Sequence, residues 1–395
     1  MHITFVNHLP IGTASIYRQE GLARHLNSGG RSISFVNRRV STNKLWNSKD
    51  RSRLNEQKRF YSLGYPIKHW FEPFEYSILP NTISLIRSTD KNDIIHMNRA
   101  NPYMSAISVS TQITKKARLV VDMEDWDGIG GYASLASLKL WERWAMDIPE
   151  RIVPRRADAV LVASELVRRM VLERGVDRER IFYIPNGVDE EIFDYSISGE
   201  GIRNYFKIGS DPLIIFMSSF WSFEKWIQKT VLQTMKSVVE EVKNAKLLLV
   251  GPGNIEFPLK MSKQLGLDEN IVFTGFLPRR LIPECIAAAD VALHILQDHP
   301  YFRASCPMVI PEYMAMKKAI VATNIGETSR ILSEDAGLLI DGSDSEDYTE
   351  GVLRLLSNPM LARSMGERAY KRMRDRHSYR VLSLEVMKSY RRALD

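Results

Sequence analysis

The sequence predicts an α/β protein made of two Rossmann-like, doubly wound parallel-sheet domains that face a central cleft. Three observations carry this. The chain has 395 residues, too many for one ordinary hydrophobic core and suited to two. Short apolar runs alternate with helical patterns, as βαβ units require. A stretch rich in Gly, Ser and charge, Ser196–Asp211, interrupts the alternation once, and the pattern then restarts.

In the first half, strands read at Ile3–Asn7, Ser32–Val36, Asp93–His96, Leu119–Asp122, Ala159–Ala163 and Ile181–Ile184. Helices read at Ser15–Leu26, Met104–Thr114, Ser134–Met146 and Glu165–Arg174. The first strand runs into Pro10-Ile-Gly-Thr-Ala14, where Gly12 serves either a plain turn or close approach of the backbone to a ligand. In the second half, strands read at Leu213–Met217, Lys246–Val250, Asn270–Thr274, Val291–Ile295, Ala319–Thr323 and Leu338–Ile340. Helices read there at Glu224–Val242, Leu259–Leu265, Leu281–Ala289, Asp344–Leu356, Met360–Arg374 and Tyr379–Leu394. Two such domains bind ligands where their strand ends face each other.

Composition narrows the class. With 44% apolar and 26% charged residues the chain reads as soluble and globular. No apolar run reaches the length of a membrane span, and the start reads as a short strand, not a signal peptide. Cys285 and Cys306 are the only cysteines, so a disulfide framework is unsupported and a cytoplasmic setting is expected. No CxxC or HExxH occurs, so no metal is expected. The formal charge of +7 fits a solvated basic surface, phosphorylated ligands or an anionic membrane; no nucleic-acid signature accompanies it. Residues 38–68 hold nine Lys or Arg against two acids, interleaved with Trp46, Phe60 and Tyr61. Both a solvated loop and peripheral contact with an anionic membrane fit that stretch.

The richest segment runs from Arg303 to Glu327. Ser305 and Pro307 stand where a helix opens and backbone N–H groups suit an anion. Glu312 is a lone carboxylate in an otherwise apolar helix, followed by the strand Ala319–Thr323. In the first half, Asp122, Glu124 and Asp125 gather at a strand end, where they either cap the following loop or orient an acceptor hydroxyl. His96 and Asn98 end another strand and serve either packing or the cleft.

From Ala157 onward an ordered series of motifs resembles the family 4 glycosyltransferases. It comprises Ala157-Asp-Ala-Val-Leu-Val-Ala-Ser164, Ile184-Pro-Asn-Gly-Val-Asp189, Leu247-Leu-Leu-Val-Gly-Pro-Gly253, Val272-Phe-Thr-Gly-Phe276, Ala287-Ala-Ala-Asp-Val-Ala-Leu293, Glu312-Tyr-Met-Ala315 and Ala336-Gly-Leu-Leu-Ile340. The resemblance covers about residues 157–342 firmly and the first 150 more weakly. It implies a GT-B fold: an acceptor domain over 1–195, a nucleotide-sugar domain over 196–378, and a last helix, 379–394, returning to the first domain. It also implies transfer from a nucleotide sugar with retention of anomeric configuration and without a metal. The acceptor would be a glycan, glycolipid or polysaccharide precursor.

Carried onto this chain, the resemblance places Glu312 on the nucleotide ribose, and Ser305, Met308 and Val309 on the diphosphate. Gly275, Phe276 and Leu277 would lie along the base, with Gly251 at a strand-end turn. Lys225 matches one of the family's two cations; Ser219 or Phe220 stands where the Arg is usual, and Arg303 is the expected substitute. Ala304 stands where a first glutamate usually contacts the transferred sugar, and Val309 where relatives with the Ser-x-Pro pattern carry Lys. Glu124 takes the place of a frequent His, so Glu124 and Asp125 join Lys225 as catalytic candidates, with Gly12, His96 and Asn98 on the acceptor side. The rival is a GT-B protein that binds nucleotide or glycan without turnover. A nicotinamide-dependent oxidoreductase is excluded by the lack of GxGxxG after the first strands.

Overall fold

The computed structural model describes residues 2–7, 14–27, 32–37, 78–136, 138–219, 225–342 and 344–395. Gly12 and the basic segment 38–68 lie outside the described residues. The first sheet contains β1 (His2–Asn7), β2 (Ser32–Asn37), β3 (Ile94–Asn98), β4 (Arg118–Met123), β5 (Ala159–Val162) and β6 (Ile181–Tyr183). Their spatial order is β2-β1-β3-β4-β5-β6, all parallel. The second contains β7 (Leu213–Met217), β8 (Lys246–Val250), β9 (Ile271–Gly275), β10 (Val291–His294), β11 (Ala319–Thr323) and β12 (Leu338–Ile340). Its order is β12-β11-β10-β7-β8-β9, again parallel throughout. Strand order reverses between β1 and β3 and between β7 and β10, and ligands bind at the carboxyl ends of such reversals. Asn7 and Asn98 end the first pair, Met217 and His294 the second.

Each sheet is buried on both faces, so strands read as unbroken apolar runs. Leu213 and Ile215 join the core formed with Tyr313, Met314 and Met373, while Ile214 and Phe216 join the one formed with Met235, Tyr348 and Leu355. In the first sheet Val6, Ile95 and Val121 face one way and Phe5, Ile94 and Val120 the other. The second of these faces is covered by the helices Ala14–Asn27 and Tyr379–Leu394, through Leu22, Leu26, Leu382, Val386 and Tyr390. The last helix thus ends the chain on the first domain. Among the described residues, no helix is long and apolar enough to cross a membrane.

Several elements differ from the sequence expectation. Residues 134–146 form two helices, Tyr132–Leu135 and Leu140–Arg156. The break is fixed by Glu142, whose carboxylate accepts the Lys139 N–H at 2.7 Å. The second helix continues through Pro149 and Pro154, although each removes a donor from the ladder. Its buried Met146, Glu150 and Val153 keep it against the domain, which outweighs the local propensity. The helices Ile78–Ser88, Glu200–Tyr205 and Pro300–Ala304 were not expected; the last two are too short to show a period.

One buried side chain ties the parts together. Arg18 is fully buried and uses all five of its N–H groups. It donates to Asp122 at 2.8 and 3.1 Å, to the carbonyls of Ile184 and Pro185 at 2.7 and 2.9 Å, and to Asn186 Oδ1 at 3.0 Å. Asn186 continues the chain of bonds into the second domain, donating to the Cys306 carbonyl at 2.6 Å and from its N–H to Cys306 Sγ at 3.1 Å. On the other side, His96 lies 3.4 Å from Asp122 and 2.6 Å from the Tyr390 hydroxyl of the last helix. Burial alone would raise the Asp122 pKa, but the Arg18 charge and hydrogen bonds from His96 and Arg18 bring it down to about 2.

A second buried set shapes the loop after β4. Glu150 accepts the N–H of Asp127 at 2.8 Å and of Gly128 at 3.2 Å, and Asp147 accepts that of Ile129 at 3.0 Å. Burial and the neighbouring Asp127 push Glu150 up to about 8 despite Arg174.

Truncating Arg18 strands a buried carboxylate. Arg18→Met should lose about 3–5 kcal/mol in urea denaturation, and Arg18→Met/Asp122→Leu should recover part of it. The Glu150 pKa is higher folded than unfolded, so its stabilising contribution is complete below about pH 4 and is lost as pH rises through about 8. The midpoint of thermal unfolding should therefore fall between about pH 6 and about pH 8, and Glu150→Gln should flatten that slope.

Candidate active site

Direct contacts join the two domains beside the carboxyl ends of their sheets. Glu327 accepts the Glu165 N–H at 2.7 Å and the Tyr183 hydroxyl. The rings of Tyr132 and Tyr301 lie 5.9 Å apart. Gly326 sits at φ +49°, and a Cβ there would come within 2.4 Å of the Arg303 carbonyl oxygen, so only glycine allows this approach.

The first-domain wall is built on Arg99, which directly follows β3 in the left-handed region at φ +57°. Its guanidinium meets Asp125, Asp127 at 3.0 Å and Glu124 at 3.5 Å. Glu124 is buried, accepts the Ser15 hydroxyl, and lies 3.5 Å from Arg18 Nε. Its Oε1 has no hydrogen bond, and burial raises its pKa against the pull of Arg99. Asn98 is fully buried with neither amide atom bonded, at the point where strand order reverses. Glu124 and Asp125 thus share one arginine at the edge of the cleft. His96 does not reach it, being held in the interior by Asp122 and Tyr390.

On the second-domain wall, Gly251 and Gly275 adopt φ of +142° and +69°, and the Gly251 N–H donates to the Gly275 carbonyl at 3.2 Å. Phe276 is half-buried, whereas the expected base contact Leu277 packs into the domain core. Glu312 is 1% exposed in the helix Val309–Ala315. Its Oε1 accepts from Arg279 at 2.6 Å, and its Oε2 is buried without a hydrogen bond. Burial raises the Glu312 pKa, and Arg279 opposes the rise. The helix opens at Met308 and Val309. Lys225 starts the helix Lys225–Glu241, is exposed, and lies 5.8 Å from the Phe257 ring.

Three expectations need correction beside His96 and Leu277. Arg303 is half exposed and its charge is already taken by a two-pronged pair with Asp298, at 2.7 Å through Nη2, so it is not a free substitute cation. Ser305 offers no free donor, because its N–H goes to the Tyr301 carbonyl and its hydroxyl to that of Phe302, both at 3.0 Å. Ala304 is fully buried and joins the core of the first domain. A glutamate there would be buried among apolar side chains, so this position seals the domains together instead of facing a sugar.

Sequence reasoning missed Arg18, Arg99, Arg279, Tyr17 and His294. His294 ends β10 with both ring nitrogens unbonded, and burial lowers its pKa to about 4. Its place at the end of a recognised strand was a usable signal. The arginines gave none, since isolated basic residues near helix and strand ends usually face solvent. Among the described residues, no group of three or more His, Cys, Asp or Glu side chains is arranged to hold a metal ion.

Comparison with known proteins agrees with this layout. Residues 18–187 match the model described as "Glycosyl transferase 4-like domain", and residues 211–358 match "Glycosyl transferases group 1". The N-acetyl-alpha-D-glucosaminyl L-malate synthase of Bacillus anthracis is 24% identical over 303 residues, 76% of this chain and 74% of that protein. A D-inositol 3-phosphate glycosyltransferase of Pseudarthrobacter chlorophenolicus is 27% identical over 255 residues, 62% of this chain and 58% of that one. Among solved structures, Anabaena HepE in complex with UDP and glucose superposes with a TM-score of 0.70 at 13% identity, over 98% of both chains. The two matched models take in both domains, and the chain belongs to the group 1, family 4 glycosyltransferases with a GT-B fold.

Proposed function

We propose that this glycosyltransferase moves a sugar from a nucleoside-diphosphate sugar on the second domain to a hydroxyl on the first, with retention of anomeric configuration. The acceptor is a glycan, a glycolipid or a polysaccharide precursor. The observation that carries this is a pair of buried carboxylate oxygens without hydrogen bonds, Glu312 Oε2 and Glu124 Oε1, one from each domain. Both carboxylates act electrostatically on the buried, unbonded hydroxyl of Tyr379, so the two walls converge there. Unbonded buried oxygens are costly and fit ligand hydroxyl groups that complete them.

In this reading Glu312 accepts the ribose hydroxyls, and Gly275 and Phe276 border the base. Met308 and Val309 at the helix opening, with Lys225, face the diphosphate, whose departure needs positive charge. Glu124, oriented by Ser15 and flanked by Asp125, takes the acceptor hydroxyl, and Asn98 supplies an amide beside it. Transfer requires no metal in this reading, because charge on the leaving group is met by Lys225 and the helix opening. The names of the relatives support the chemistry: one is a glucosaminyl L-malate synthase, and HepE binds UDP. The basic stretch 38–68 brings the enzyme to the cytoplasmic face of an anionic membrane, where lipid-linked acceptors lie.

A nucleotide-sugar panel read by thermal shift should stabilise the protein with one nucleotide class, and the matching donor should be hydrolysed or transferred at a rate unaffected by EDTA. Stabilisation without hydrolysis or transfer would point to the binding-only rival. Glu312→Ala should lower kcat/KM for the donor by about 10²-fold, on the scale of a lost charge-assisted contact of about 1.5–3 kcal/mol. Co-sedimentation with anionic vesicles at low salt should capture the full chain; its absence removes the membrane contact.

A further inference from the structure

We propose that Arg279 is a positioning residue for the donor: it fixes one oxygen of Glu312 and leaves the other to receive the nucleotide ribose. The inference rests on the reading of Glu312 as the ribose ligand and extends it to a residue that no motif marks. Arg279 opens the short 3-10 turn Arg279–Leu281, just after the glycine bend that ends β9. Its neighbour Arg280 is exposed, whereas Arg279 turns inward and is 20% exposed. Its guanidinium lies 4.5 Å from the ring centroids of both Tyr17 and Phe193. Tyr17 comes from the first-domain helix Ala14–Asn27, and Phe193 from the segment between the domains.

The geometry separates the two oxygens of Glu312. Oε1 takes the 2.6 Å bond from Arg279 Nη2, while Oε2 is buried and receives nothing. A planar guanidinium stacked against two rings has few orientations, so the carboxylate plane is fixed as well. Charge matters as much as direction. Burial favours the neutral acid at Glu312, and Arg279 is the cation that opposes this. The other titratable groups near the pair are Tyr17 and Glu20 from the helix Ala14–Asn27, Tyr379 from the last helix, and Tyr313 from the helix of Glu312 itself. Burial raises all three tyrosines, so they stay neutral at physiological pH, and Glu20 is an acid. Arg24, which acts on Glu20, is paired with Asp189 at 2.6 Å, and Arg18, which acts on Tyr379, with Asp122 at 2.8 Å, so neither replaces the missing cation if Arg279 is removed.

Without Arg279 the Glu312 pKa rises, the acid form becomes populated as pH falls, and an acid is a poorer acceptor for ribose hydroxyls than a carboxylate. The test is the binding of UDP and of GDP to the full chain by calorimetry between about pH 6 and about pH 8.5, each variant expressed as its ratio to wild type so that phosphate ionisation cancels. For Arg279→Gln the loss should be larger at the acid end than at the alkaline end, because the neutral acid form of Glu312 accumulates as pH falls. Arg279→Lys should keep a flat ratio, because the charge remains. Arg279→Gln/Glu312→Gln should be weak and flat, which assigns the titration to Glu312 and not to Glu20. Arg279→Met, which keeps an apolar stem between the two rings, replaces the Gln variant if that does not fold.

A flat ratio for the neutral variants, or a slope that survives in the double variant, overturns the proposal while leaving the donor site standing. A wild-type chain that binds neither nucleotide overturns the donor-site reading and this inference together.

Discussion

The buried pair Arg18–Asp122 is the constraint on which the rest of the molecule depends. A guanidinium out of water is tolerable only when every donor is used and an opposite charge is at hand. Here the five donors reach β4, the inter-domain segment 184–186 and, through Asn186, the loop around Cys306. Asp122 in turn stands beside His96, which bonds Tyr390 of the last helix. The helix after β1, the hinge, the donor-side loop and the returning helix are therefore fixed relative to one another by a single ion pair. Apolar packing alone lacks that directionality.

The same economy of charge governs the cleft. The first-domain carboxylates Glu124, Asp125 and Asp127 converge on Arg99, and the second-domain Glu312 is held by Arg279. Each wall then presents one buried carboxylate oxygen without a hydrogen bond, Glu124 Oε1 having only its 3.5 Å ion pair with Arg18. Ala304 shows the trade that closes the cleft. Where the family resemblance implies a sugar-binding carboxylate, this chain buries the Ala304 methyl group in the first-domain core and gains domain contact. His294, buried at the end of β10 with both ring nitrogens unbonded, is neutral at physiological pH.

Much of the architecture was legible because both sheets are parallel and buried on two faces. Such strands are continuous apolar runs, and β7, β8, β11 and β12 have the limits that the hydropathy pattern suggests. Elements that tertiary contacts stabilise against their own propensity were not legible. The helix Leu140–Arg156 runs through two prolines, and Pro300–Ala304 is a five-residue wedge between the domains. Motif order marked Glu312, which lies buried in the helix Val309–Ala315, and the Gly275–Phe276 bend that ends β9. Arg303 was misplaced because sequence proximity was taken for spatial proximity, and Ser305 because a helix end was read as a helix opening. Arg303 is next to the phosphate loop in sequence but pairs with Asp298, and Ser305 spends its donors ending the helix before it.

The sequence by itself determined the two-sheet parallel α/β architecture and the family. Those follow from periodicities and ordered motifs, which are properties of the chain read locally. Only the tertiary structure decided which charges pair. Arg18 lies 104 residues from Asp122 and 168 from Asn186, so their meeting is set by β-sheet order and domain closure, not by spacing. Arg279 meets Glu312, Tyr17 and Phe193 for the same reason, since the four arrive from separate turns and helices. A buried polar contact depends on what surrounds it in space, and that is written in no single stretch of sequence.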